Sequence, residues 1–439
     1  MLPCLLISLV FAAGVSSQEG QGEALPRAAI SGNAAEVERL LGAGANADAP
    51  DASGSTALKY AAMLGHDPVV EVLLAGRANV NATDADGKTA LMHAAQMGRD
   101  AIAGRLLAVP GIEVDIRDDS DTTALAIAAL HGRTGIVRAL VAKGANVNVT
   151  DRTAQTPLML AASGGHLDVA RALIDGGARV EVKDKSGMTP LMAAASAGQI
   201  EVLRLLVAKG ASVEARDLED STALLVAAFG GHAGAVRILL DGGANAAAAN
   251  KAGRTALMAA ARGGDAAAVQ MLLGARVSPE AADAGGLTAL SYAASSGNLE
   301  IIRLLQKAGA KTGVDAAIVT AARAGHTSAV GALLASGAPL EAKDGSGATP
   351  LLAAAAMQKW STVEFLAGKG ASVNVSDAQG RTPLIEAAGW GETAVVEMLL
   401  KRGADVEARD KSGRSAWSYA ALGNHLETVE ILRKARGIK

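Results

Sequence analysis

The sequence predicts an all-α solenoid of about 13 helix–turn–helix units joined by short extended fingers. Three observations carry that expectation. The stretch TPLMLAASGGHLDVARALIDGGA at 156–178 returns 33 residues later as TPLMAAASAGQIEVLRLLVAKGA at 189–211. The pattern T-[AP]-L-x-x-A-A recurs at Thr56, Thr89, Thr123, Thr156, Thr189, Thr222, Thr255, Thr288, Thr349 and Thr382, and with serine at Ser415. Finally, 50% of the 439 residues are apolar but only 2% aromatic, so burial must come from many small helix-forming side chains. A repeat array also overrides the length prior, which would divide a chain of this size into about three globular domains.

Along the chain, the first element is an uncharged leader, MLPCLLISLVFAAGVSS, with an apolar run from Leu5 to Ala13. It is too short to span a bilayer, and Val15 and Ser17 suit the −3 and −1 positions of a signal peptidase site. We read 1–17 as a cleaved secretory signal and 18–23 as a short linker, which makes the protein exported, periplasmic or extracellular. No Lys or Arg precedes the run, and a cytoplasmic protein with an apolar tail is the alternative. The single cysteine, Cys4, falls in this leader, too near the start for a lipoprotein site, so the remaining chain forms no disulfide. The array occupies 24–439, and residues 24–50, with LPRAAISGNAAEVERLLGAGA, form its N-terminal capping repeat.

Each later unit opens on the Thr as N-cap. Pro157, Pro190, Pro350 and Pro383 then take the first helical position, where a missing N–H costs nothing. The Ala-Ala pair permits close helix approach, and a glycine such as Gly65, Gly98, Gly165 or Gly264 ends the first helix in a left-handed cap. The second helix carries apolar residues in the pattern of Val69, Val70, Leu73 and Leu74. A finger built around a turn-initiating Asp follows; its glycine site is filled by Asp121, Ala154 and Asp220 in three units, which forces those residues to positive φ. Between Thr288 and Thr349 one further unit begins at Ala316, after a finger about five residues short, GAKTGVDAA. A bend or seam is expected at 311–316. The last unit, 410–439, ends in LRKARGIK, charged where the others are apolar, as a C-terminal capping repeat should be.

These units resemble ankyrin repeats, on the pattern D-x-x-G-x-T-P-L, then A-A-x-x-G-H, then V-V-x-x-L-L-x-x-G-A-x-V-N. The resemblance implies an ankyrin-repeat solenoid, a curved array of helix pairs with β-hairpin fingers at right angles to them, that binds partner proteins through its concave face, lined by finger tips and the last turn of each first helix. One departure stands out. The histidine of the family's T-P-L-H is absent, its place taken by Lys59, Met92, Ala126, Met159, Met192, Leu225, Met258, Ser291, Leu352, Ile385 and Ser418. Cohesion by burial more than by a polar ladder is therefore expected.

Binding hot spots favour Trp, Tyr and Arg. At the two positions before the helix-ending Gly, the candidates are Trp390, Arg262 and Arg323, with Phe229, Met357, Met63, Leu64, Met97 and His131. Arg254, Arg381 and Arg414 share the finger position before the Thr. Trp417, which replaces the Leu of T-P-L, is expected in the core, and Trp360 to pack at the start of a second helix. Pairs such as Arg117-Asp118 and Arg216-Asp217 are expected to be surface ion pairs.

The chemistry of a catalyst is missing from this pattern. His66, His166, His232, His326 and His425 fall at one repeat position in different units, about 20 Å or more apart by helix-packing distances, so they cannot share a metal. Gly87-Lys88-Thr89 lacks the first glycine and the strand–loop–helix setting of a phosphate loop. No nucleophile stands beside a base, and the array leaves no segment for an active site. The net charge of −3 gives no reason for a nucleic-acid partner. We expect a monomeric, non-catalytic scaffold without cofactor, catalytic or metal residues, binding one or more proteins. The alternative is a ligand- or calcium-binding module using the acidic finger of Glu113, Asp115, Asp118, Asp119 and Asp121.

Overall fold

A computed structural model of the chain describes residues 23–437. The leader at 1–17, with Cys4, and residues 18–22 of the linker lie outside the described residues. Within them the protein is an all-helical repeat solenoid of 26 helices in 13 pairs, from Ala24–Ile30 to Leu426–Ala435. The chain forms two compact units, divided between Lys185 and Ser186. The first contains the pairs that end with Pro157–Gly164 and Leu167–Asp175; the second runs from Pro190–Ser196 to the last pair.

The caps and core follow the pattern in the sequence. Thr222 Oγ1 accepts the Leu225 amide and Thr156 Oγ1 that of Met159, each satisfying an N–H that the helix itself leaves open. Gly65, Gly98, Gly165 and Gly264 close their first helices with φ of 87°, 68°, 72° and 78°. Asp121, Ala154 and Asp220 do take positive φ, at 59°, 63° and 61°. In each unit first helix lies on first helix and second on second, as with Ala57–Leu64 against Ala90–Met97 and Asp67–Ala75 against Asp100–Ala108. Alanines such as Ala61, Ala62, Ala227 and Ala228, with Leu73, Leu173, Leu239 and Leu272, are fully buried between layers. Each unit thereby buries its apolar faces on its neighbours.

The fingers are not β-hairpins. Among the described residues there is no strand, only isolated bridges such as Thr83 with Thr89 and Ala249 with Thr255. An Asp side chain, or Asn250 in one finger, closes these turns instead. Asp217 Oδ1 accepts the amides of Glu219 and Ser221 at 2.8 and 2.7 Å, and the Asp217 amide donates to the Ser221 carbonyl. A turn closed over five residues leaves no arms long enough to pair.

Cohesion is also more polar than the missing T-P-L-H histidine suggests. The histidines that follow the helix-ending glycines reach back one unit. His66, His166, His232, His326 and His425 each place Nε2 within 2.9–3.1 Å of a carbonyl, those of Ile30, Leu130, Ser196, Ser295 and Gly389. Since a carbonyl only accepts, Nε2 carries the proton. A second ladder joins the fingers: Asp48 accepts the Asn79 amide, Asn81 that of Glu113, Asp115 that of Asn146, and Asn148 that of Arg179. Beyond Ser186 the same bond recurs from Glu214 to Asn245, Glu341 to Ser372 and Asn374 to Asp405. The histidine and finger ladders use positions other than the one the sequence pattern draws attention to.

At 311–316 the shortened finger is replaced by helix. The first helix there, Val314–Ala324, is 11 residues long and starts from Gly313 at φ 71°. It packs against both Ala289–Ser296 and Pro350–Ala356, while the Glu280 carboxylate takes the amides of Lys311 and Thr312. Trp417 corrects a core assignment: it is 38% exposed, because among the described residues no first helix packs on the outer side of Ala416–Leu422. Trp360 is half-buried. The finger-base arginines also reach across units: Arg117 donates to the Thr150 carbonyl and Arg216 to the Ala249 carbonyl, each on the next finger.

Candidate protein-binding surface

The two residues before the left-handed residue that ends a first helix, such as Gly231, Gln358 or Gly391, have completed the last turn, and the left-handed cap turns the chain away before the next unit can cover them. Large apolar groups at these positions stay in water. In the 186–439 unit, Phe229, Met357 and Trp390 are 60%, 50% and 54% exposed. In the unit before it, Met97 is 43% exposed, while Met63 and Leu64 are half-buried. His131 is exposed beside Arg133 and His166; partial burial and those two groups push its pKa down, so it is neutral near pH 7. Leu130, Leu218, Leu422 and Leu426 are exposed large apolar residues that sequence reasoning left out. Leu218 is at a finger tip and was legible only as a Leu where other fingers carry polar or small residues.

The structure sorts the candidate arginines by what already holds them. Arg323 is ion-paired with Asp344. Burial alone would raise the Asp344 carboxyl, but hydrogen bonds from Ser346, Arg323 and the turn amides outweigh it and hold the group at about 2. Arg381 pairs with Glu386 at 2.9 Å and lies 5.5 Å from the Tyr419 ring centre, with Arg414 at 5.9 Å from the same ring. Glu386 is buried, and that burial pushes its pKa up despite Arg381.

Arg262 is differently placed. Its guanidinium sits 5.8 Å from the Phe229 ring centre and makes no ion pair among the described residues. Arg254 lies beside the Tyr292 hydroxyl, which donates to Asp283 at 2.6 Å. Together Phe229, Arg262, Arg254, Asn250, Met258 and Tyr292 line a hollow of about 220 Å³. The sequence placed Phe229, Arg262 and Arg254 as separate candidates, and the fold brings them to one hollow. Tyr292 was missed. The signal that finds it is its place nine residues after the finger Asp, where Tyr60, His93 and Tyr419 likewise bond to Asp51, Asp84 and Asp410.

Three of the five carboxylates of the acidic finger are engaged locally. Asp115 accepts the Asn146 amide, Asp118 accepts those of Ser120 and Thr122, and Asp121 lies 3.7 Å from Arg152. Among the described residues, no three His, Cys, Asp or Glu side chains converge on a point that could hold a metal ion. Likewise, no helix among them is long and apolar enough to cross a membrane.

With this geometry in place, the comparisons are direct. The family model for ankyrin repeats, described as three copies, matches the chain in overlapping segments from 5–84 and 25–118 through 224–316 to 377–439. The chain belongs to the ankyrin repeat family. Ankyrin repeats are generally protein–protein interaction modules and typically non-enzymatic. A search of curated proteins returns no match.

Proposed function

We propose that this protein is a non-catalytic scaffold that captures a partner protein through the exposed ends of its first helices and the finger tips. The observation that supports this best is the set of large apolar groups held in water at two adjacent repeat positions, Phe229 at the first and Met357 and Trp390 at the second. Their backbone is fixed by left-handed caps and packed neighbours, so little ordering entropy is lost on binding, which favours affinity. Hot spots of this type concentrate binding energy in a few residues. The calcium reading finds no support in the finger geometry described above.

The test is a pull-down with tagged residues 18–439 from an extract of the source cells and their medium. One stoichiometric protein is expected, lost in a Trp390→Ala/Phe229→Ala double variant of unchanged melting temperature. Retention of the partner by that variant would move the site elsewhere. We further propose, from the apolar run at 5–13, that the chain is exported and cleaved near Ser17. N-terminal sequencing of the protein from its source is expected to begin near Gln18; an intact Met1 start would overturn that.

A further inference from the structure

We propose that the hollow beneath Phe229 receives one large apolar side chain from an extended peptide segment of the partner, and that Arg254 and Arg262 bind a carboxylate next to it. This deepens the scaffold reading and rests on it. The floor is apolar, formed by Leu225, Val226, Met258 and Ala259 below the exposed Phe229 ring. Its volume of about 220 Å³ exceeds the roughly 150 Å³ of a dry cavity that accepts benzene, so an aromatic or branched aliphatic side chain fits.

The lining supplies the charge. Of the arginines at the candidate positions, Arg323 and Arg381 are neutralised by Asp344 and Glu386, whereas Arg262 is held only by an aromatic ring. Arg254 makes no direct ion pair among the described residues: the Asp283 carboxylate feels its charge but is engaged by the Tyr292 hydroxyl and by the amides of Gly285 and Leu287. Two guanidiniums with no directly paired carboxylate, lining an apolar hollow, are complementary to an acid beside a hydrophobe. The ring under Arg262 orients the fork without consuming its donors, and a carboxylate accepts two parallel N–H bonds from such a fork. Asn250 adds a side-chain amide to the same lining.

The test pans a random 12-residue phage-displayed peptide library on the full chain, then measures the enriched peptides by fluorescence anisotropy. Enriched sequences are expected to share Asp or Glu adjacent to a large apolar residue. Replacing that acid by its amide, or making Arg262→Gln or Arg254→Gln in the protein, is expected to weaken binding about tenfold, and raised salt to weaken it further. Phe229→Ala removes the wall and should weaken binding while the Arg262→Gln protein keeps its melting temperature. Peptides without an acid, or binding that is indifferent to Arg254 and Arg262, would overturn the proposal. If those same peptides are lost on Trp390→Ala or Met357→Ala, the scaffold reading survives and only the hollow is ruled out. Binding of the isolated apolar-acid dipeptide as tightly as the 12-mer would also overturn it, pointing to a small-molecule site.

Discussion

A single glycine in this molecule can perform two separable duties, and substitution distinguishes them. Gly198 sits at φ 67°, and a Cβ there would lie 2.6 Å from Nδ1 of His232, the residue whose Nε2 bonds the Ser196 carbonyl. Gly210 sits at φ 84° with nothing near its missing Cβ. Gly210→Ala should therefore cost only the left-handed backbone penalty, about 1–2 kcal/mol. Gly198→Ala should cost that plus the displaced histidine bond, about 2–3 kcal/mol in all. Urea denaturation of the two variants checks the order; equal losses would mean that the histidine rung carries no stability.

At the scale of the element, caps and core differ in predictable degree. Thr222→Val removes the acceptor for the Leu225 amide and should cost about 1 kcal/mol. Leu239 is fully buried on its second helix, and Leu239→Ala should cost about 2–5 kcal/mol, since the layers on either side cannot close over the void. Leu422, 70% exposed on the last first helix, should tolerate alanine within about 0.5 kcal/mol. Circular dichroism melts of the three variants give this ranking directly. A large loss at Leu422 would show that its side chain is covered in solution.

For the whole molecule, the fingers set the acid limit. Asp84, Asp344 and Asp410 each hold turn amides and a side-chain donor. Burial would raise the Asp84 carboxyl, but Lys59, the Lys88 amide and His93 overcome it and bring it to about 2. At Asp410 the Tyr419 hydroxyl and the Arg414 amide lead to the same value, and Asp344 also stands at about 2. These folded pKa values lie below the ordinary aspartate value of about 3.9. The folded state therefore binds fewer protons than the unfolded one, and the stabilisation is present above about pH 4. It is lost as pH falls from about 4 towards 2. The melting temperature should drop mainly in that window, and Asp84→Asn should make the drop shallower; an unchanged slope in that variant would rule Asp84 out as a contributor.

Much of this protein was determined by its sequence alone, because the repeat is local. The caps at Thr56 to Ser415, the glycine ends, the buried Ala-Ala pairs and the positive φ of Asp121, Ala154 and Asp220 all follow from neighbours a few positions away. What only the tertiary structure decided depends on residues one unit apart. Which arginines are already paired, that Phe229 and Arg262 meet over one hollow with Tyr292 behind it, and that five histidines bond the preceding unit are matters of layer-to-layer distance. So is the exposure of Trp417, whose position in the pattern is a core position and whose burial needs a neighbour that the last unit does not have among the described residues. A repeat pattern specifies what each unit offers, but the stacking of units settles which offers are met and which remain open to a partner.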